Sequence, residues 1–138
     1  MQALYTTEVT AHGGRDGKVK SADGVLDLKL EMPKALGGSG AAAANPETLF
    51  GAGYAACFEG ALRLVARLEK KPVEDASIRA KVTLYKADDG GFQLGVELIG
   101  KVAGRSREEA QALMEKAHAV CPYSKATRGN VEVKLSVE

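Results

Sequence analysis

Two thiols are the groups in this chain whose chemistry stands out. Cys57 sits in Tyr54-Ala55-Ala56-Cys57-Phe58, and Cys121 in Val120-Cys121-Pro122-Tyr123-Ser124. They are the chain's only cysteines, one deep in an apolar run, the other stopped by a proline and followed by a tyrosine and a serine. Two readings stand side by side, because free cysteine is among the most buried residue types and a pair of thiols is also the minimal redox centre. Zinc is disfavoured: no Cys-x-x-Cys occurs, and the histidines, His12 and His118, supply no paired ligand spacing. No metal site is therefore expected. His118, one turn before Cys121, invites a Cys-His protease reading, but no acyl-transfer constellation accompanies it, so it reads as a surface or helix-end residue, as does His12.

The bulk composition bounds where such chemistry operates. A chain of 138 residues, 45% apolar and 27% charged, is sized for one domain over residues 1–138. A formal charge of +1 leaves no electrostatic footprint for nucleic acid or an anionic membrane. The first residues lack the basic start and apolar stretch of a secretory signal, and no run reads as the ~18 apolar residues of a membrane span. The expectation is a cytoplasmic protein, where a lasting structural disulfide is disfavoured.

The elements that must position the thiols follow from turn and cap signals. Leu4 to Ala11 suits a strand, Gly13-Gly14-Arg15-Asp16-Gly17 a turn, and Lys18–Ser21 and Val25–Leu30 two further strands. Residues 35–44, small and glycine-rich, read as a flexible connection without the ending of a phosphate loop. Asn45-Pro46-Glu47 combines a capping side chain, a first-turn proline and a dipole-complementing carboxylate, and opens a helix to about Lys70, closed by Pro72. The middle of that helix has almost no polar face, so it is expected to be buried all round, with a second copy of the chain covering part of it. Ser77–Lys86 and Phe92–Val102 form a hairpin across Asp88-Asp89-Gly90-Gly91. Ser106 to Glu109 matches a capping box that opens a helix to Cys121, and Val131–Val137 closes the chain as a strand. The order is βββ-α-ββ-α-β, an α+β fold expected to form an intertwined homodimer with antiparallel sheets around the buried central helix.

Several segments together resemble the organic hydroperoxide resistance family, the peroxidase branch of the group that includes osmotically inducible protein C. They are Gly13 to Gly17, Asn45-Pro46-Glu47-Thr48-Leu49-Phe50 leading into Gly53 to Phe58, Val120 to Ser124, and Ala126-Thr127-Arg128-Gly129-Asn130. The resemblance runs nearly end to end, and the Cys-Pro-Tyr-Ser ending favours this branch over its osmotically inducible sister. It implies an intertwined homodimer that reduces organic hydroperoxides in defence against oxidative stress, through a peroxidatic Cys57 and a resolving Cys121. No bound cofactor is implied; a lipoyl-type dithiol carried on a protein is the implied reductant. A peroxidase of the sister branch with a broader peroxide range, and a non-catalytic redox-sensing dimer, remain the alternatives.

Peroxide reduction requires a thiolate, and an ordinary cysteine is mostly protonated at neutral pH. The dipole of the helix that carries Cys57 cannot supply the activation, because its effect fades within the first turn and Cys57 lies eleven residues beyond Pro46. A fixed cation is required. Arg15, oriented by Glu47, is the candidate, since a guanidinium stays charged and donates to several acceptors at once. Glu47 and Cys57 are ten residues apart, about 15 Å on a straight helix. Either the helix breaks around Gly51 to Gly53, or Arg15 and Glu47 reach Cys57 from a partner chain, the preferred arrangement. Phe50, Phe58, Tyr123, Leu36 and Met32 are the candidate walls of an apolar pocket suited to alkyl or fatty-acid hydroperoxides.

Overall fold

The computed structural model describes Met1–Glu138, which fall into two units, Met1–Leu49 and Phe50–Glu138. The first is built on a three-stranded antiparallel sheet, β1 (Val9–His12), β2 (Lys18–Ser21) and β3 (Asp27–Lys29), in the order β1-β2-β3. β1 starts later than the alternation suggested: residues 4–8 are exposed and make no ladder, so their apolar side chains have nothing in this chain to pack on. Between β1 and β2 the glycine-rich turn is a single 3-10 turn, Gly14–Asp16, entered through Gly13 at φ +85. A side chain at Gly17 is excluded, because its Cβ would lie 1.8 Å from the His12 carbonyl oxygen. Asp16 Oδ1 accepts from the Met32 amide at 3.1 Å and ties this turn to the chain beyond β3. Residues 35–44 include the end of a second 3-10 turn, Lys34–Leu36, and Ala44 bridges Leu30.

Helix α1 (Pro46–Leu68) begins as its capping signals require: Asn45 Oδ1 accepts from the Thr48 amide at 2.8 Å. It runs unbroken through Gly51 and Gly53, which removes the first of the two arrangements considered for Glu47 and Cys57. It stops at Leu68, with Lys70 in the left-handed region at φ +59, two residues before Pro72. Of this helix, expected to be buried all round with a second copy covering part of it, the chain itself covers one face only. Tyr54, Phe58 and Leu62 are fully buried, whereas Ala52, Ala56, Gly60 and Leu64 are exposed on the opposite side. The helix also contradicts the expectation that no run has membrane-span character: an 18-residue window reaches mean hydropathy 1.2, because its alanines, leucines and phenylalanines count as apolar while few charges intervene. Its large side chains nevertheless pack into a protein core, as those of a core helix do.

The second unit holds a mixed sheet ordered β4-β5-β6. β4 (Ala76–Lys86) and β5 (Phe92–Val102) pair antiparallel over their full length, from Ala76 opposite Val102 to Lys86 opposite Phe92. β6 (Glu132–Val137) runs parallel to β5, which corrects the expectation of purely antiparallel sheets. The physical reason is the connection: α2 (Arg107–Val120) and α3 (Pro122–Thr127) together make a helical crossover that returns the chain to the end from which β5 started. Ser106 caps α2, its side chain accepting from the Glu109 amide at 3.1 Å. Leu113, Met114 and Ala117 of α2 join Tyr54, Phe58 and Leu62 of α1 over Val96, Leu98 and Val102 of β5 to form the core. Gly100 permits this approach, since a Cβ there would stand 2.5 Å from Met114 Sδ.

Candidate functional site

Within the second unit, α1 and the corner between α2 and α3 bring the two thiols together. Cys57 is half-buried and Cys121 fully buried, and their sulfurs lie 3.9 Å apart without a bond between them. Pro122 is responsible for the corner: a residue preceding proline is pushed to extended geometry, and Cys121 adopts φ −65, ψ 125, ending α2 and preceding α3. A disulfide needs the sulfurs at about 2.05 Å, so the gap to close is only about 2 Å.

Burial pushes the Cys57 thiol above the usual cysteine range, and neighbouring Cys121 adds to the effect; the Tyr123 backbone amide, donating toward Cys57, works the other way. That amide belongs to the first turn of α3, where backbone donors have no helical partner. Within its own unit, burial thus favours the thiol form of Cys57.

In the first unit, Arg15 and Glu47 form a bidentate pair, Nη1 to Oε2 at 2.8 Å and Nη2 to Oε1 at 2.6 Å. The glycine turn presents Arg15, and the first turn of α1 presents Glu47. The Arg15 guanidinium holds the Glu47 carboxyl below its ordinary range, and Glu47 in turn raises Arg15, so both stay charged. Because α1 is unbroken, the ten residues from Glu47 to Cys57 span about 15 Å of helix axis.

The pocket candidates separate. Phe50 is half-buried, with its ring edge-on to Tyr54. Tyr123 is 42% exposed and packs against Tyr54 and Gly53. Phe58 is corrected from pocket wall to core residue: it is fully buried, its ring tilted against that of His118 with centroids 6.4 Å apart. Met32 and the exposed Leu36 belong to the first unit.

His118 lies in the last turn of α2, the helix-end place expected for it, but it is half-buried, and its Nδ1 shares a 2.7 Å hydrogen bond with Ser124 Oγ. Ser124 Oγ shares another with the Tyr54 hydroxyl at 2.9 Å, which reaches Thr127 Oγ1 at 3.2 Å. Burial, with Arg128 nearby, lowers the His118 pKa and keeps the ring neutral at pH 7. This network was missed because its members look unremarkable singly. The available signal was the placement of a histidine and a serine three residues either side of Cys121.

The site is thus an unbonded pair of cysteines beside a helix corner, on an α+β frame. Residues 37–136 match the family model described as OsmC-like protein. The organic hydroperoxide resistance protein OhrB of Bacillus subtilis is 51% identical, covering 99% of each chain, and the organic hydroperoxide resistance protein of Xanthomonas axonopodis pv. citri is 49% identical, covering 99% of this chain and 96% of its own. A crystal structure of an organic hydroperoxide resistance protein from Legionella pneumophila superimposes with a TM-score of 0.93 at 56% identity over 99% of both chains. The chain belongs to the OsmC-like family, in its organic hydroperoxide resistance branch.

Proposed function

We propose that this protein is a thiol peroxidase that reduces organic hydroperoxides to alcohols in defence of the cytoplasm against oxidative stress. The observation carrying the proposal is the pair of unbonded sulfurs 3.9 Å apart, in a chain whose relatives are named for organic hydroperoxide resistance. The Cys57 thiolate attacks the distal peroxide oxygen; the O–O bond breaks, the alkoxide leaves and takes a proton to become the alcohol, and Cys57 is left as a sulfenic acid. The Cys121 thiolate then attacks the Cys57 sulfur, the S–O bond breaks, water leaves, and a Cys57–Cys121 disulfide forms. An external dithiol of the lipoyl type reopens it by exchange, and no bound cofactor takes part.

Activation of Cys57 falls to Arg15, oriented by Glu47, and supplied by a second copy of the chain. The exposed face of α1 supports such a homodimer, since the small Ala52, Ala56 and Gly60 let two helices approach closely and Leu64 leaves a large apolar side chain uncovered, as do Met1, Leu4 and Tyr5. Around the thiols, Phe50 and Tyr123 favour an alkyl substrate over hydrogen peroxide, which gains little from apolar walls.

The test is turnover of cumene hydroperoxide with dihydrolipoamide, beside the same assay with hydrogen peroxide. Cys57→Ser is expected to abolish turnover, and the organic substrate to react faster. Undiminished turnover by Cys57→Ser overturns the proposal; equal rates with hydrogen peroxide overturn the substrate preference.

A further inference from the structure

The buried hydrogen-bond chain around Ser124 spans the corner at Cys121. His118 lies three residues before that corner on α2, and Ser124 three residues after it on α3, and the two are joined at 2.7 Å. A second strut crosses the same corner: the Arg128 guanidinium donates to the His118 carbonyl oxygen at 2.7 Å. From α1, Tyr54 holds Ser124 and Thr127, and Tyr54 is three residues before Cys57, about one helical turn. Thr127 Oγ1 also donates to the Ser124 carbonyl oxygen at 3.1 Å, so each of the Tyr54, Ser124 and Thr127 hydroxyls has a partner. One polar network therefore links the turn of α1 that bears Cys57 to both sides of the corner that bears Cys121. An apolar core would hold α3 without it, whereas directional bonds fix its angle to α2.

We infer that His118, Ser124 and Tyr54 form a clamp across the α2–α3 corner that sets the reach of the Cys121 thiol to Cys57. They are positioning residues: their side-chain hydrogen bonds run to one another and to Thr127, not to either sulfur. The inference rests on the thiol-pair reading above. Its consequence falls chiefly on the second step, in which a displacement of about 1 Å is enough to cost a hundredfold in rate, and it reaches the first only through the Tyr123 amide of α3.

Two measurements separate this clamp from mere satisfaction of buried polar groups. In the first, the reduced protein is treated with diamide, which closes vicinal thiols without any peroxidase chemistry, and the rate of Cys57–Cys121 closure is followed by mass spectrometry. In the second, the rate at which one equivalent of cumene hydroperoxide consumes the Cys57 thiol is recorded. His118→Leu and Ser124→Ala are expected to slow closure by about tenfold or more, while leaving peroxide consumption at Cys57 within about twofold. His118→Gln, whose amide can bond Ser124, is expected to restore closure to within about threefold. Tyr54→Phe, which keeps the ring in the core, serves if Ser124→Ala does not fold, and is expected to slow closure as well. Folded variants that close at the wild-type rate overturn the clamp, as does a His118→Gln protein no faster than His118→Leu. A wild-type protein that closes with diamide yet ignores the hydroperoxide overturns the peroxidase reading and leaves the clamp standing.

Discussion

Replacing Cys121 with serine tests how much the second thiol contributes, and the structure supplies the magnitude. Confining one sulfur to a sphere of radius 3.9 Å about the other corresponds to an effective concentration of ~7 M. An external thiol at about 1 mM is therefore at a disadvantage of nearly four orders of magnitude in capturing a Cys57 sulfenic acid, before any gain from orientation. Cys121→Ser removes that advantage and leaves the sulfenic acid exposed to a second equivalent of peroxide, which carries it to the irreversible sulfinic acid. The assay titrates reduced protein with cumene hydroperoxide and reads the Cys57 peptide by mass. Wild type is expected to accumulate the Cys57–Cys121 disulfide, and Cys121→Ser to gain about 32 Da at Cys57 once peroxide exceeds one equivalent. Equal sulfinic acid in the two proteins would refute the reasoning, because a thiol so close that did not intercept the sulfenic acid would have no resolving role.

The pairing of Glu47 with Arg15 predicts an acid-sensitive contribution to stability. Glu47 is lowered from its ordinary range in the folded chain, so its contribution is present above the unfolded carboxylate value and is lost as pH falls through the folded one. Glu47→Gln is expected to cost about 1 kcal/mol at pH 7, given the partial exposure of the pair, and to flatten the fall in melting temperature below about pH 4.5; a variant whose pH profile matches wild type would show that the ion pair contributes nothing. Leu62→Ala, at a fully buried position beneath the sheet, is expected to cost about 3 kcal/mol in urea unfolding with an unchanged m-value, and a loss under about 1 kcal/mol would mean that the core collapses to fill the space.

What the chain alone determined lies where chemistry is local. Asn45 and Ser106 name the starts of α1 and α2, because capping depends on a side chain and an amide three residues on. Lys18–Ser21 and Phe92–Val102 are bounded by turns whose glycines and aspartates specify their own geometry. Both thiols, the arginine and the glutamate were visible as reactive or charged types in unusual settings. The parallel pairing of β6 was not, since register and direction depend on where a long crossover returns the chain, which no local pattern encodes. Nor was which face of α1 the chain itself covers, because an all-round apolar helix specifies burial without saying what provides it on each side.

The thiols with which the sequence begins its case stand 64 positions apart, and only the fold makes them neighbours at 3.9 Å. Residue type marked Cys57 and Cys121 as the candidate thiols and Pro122 as the end of α2, whereas α3 beyond it came only from the structure. Tertiary structure decided the distance, the burial that suppresses Cys57 ionisation, and the union of Tyr54, His118 and Ser124 into one network. The reason is physical: reactivity is a property of a side chain, whereas separation, dielectric environment and a shared hydrogen bond arise only when distant segments are packed against one another.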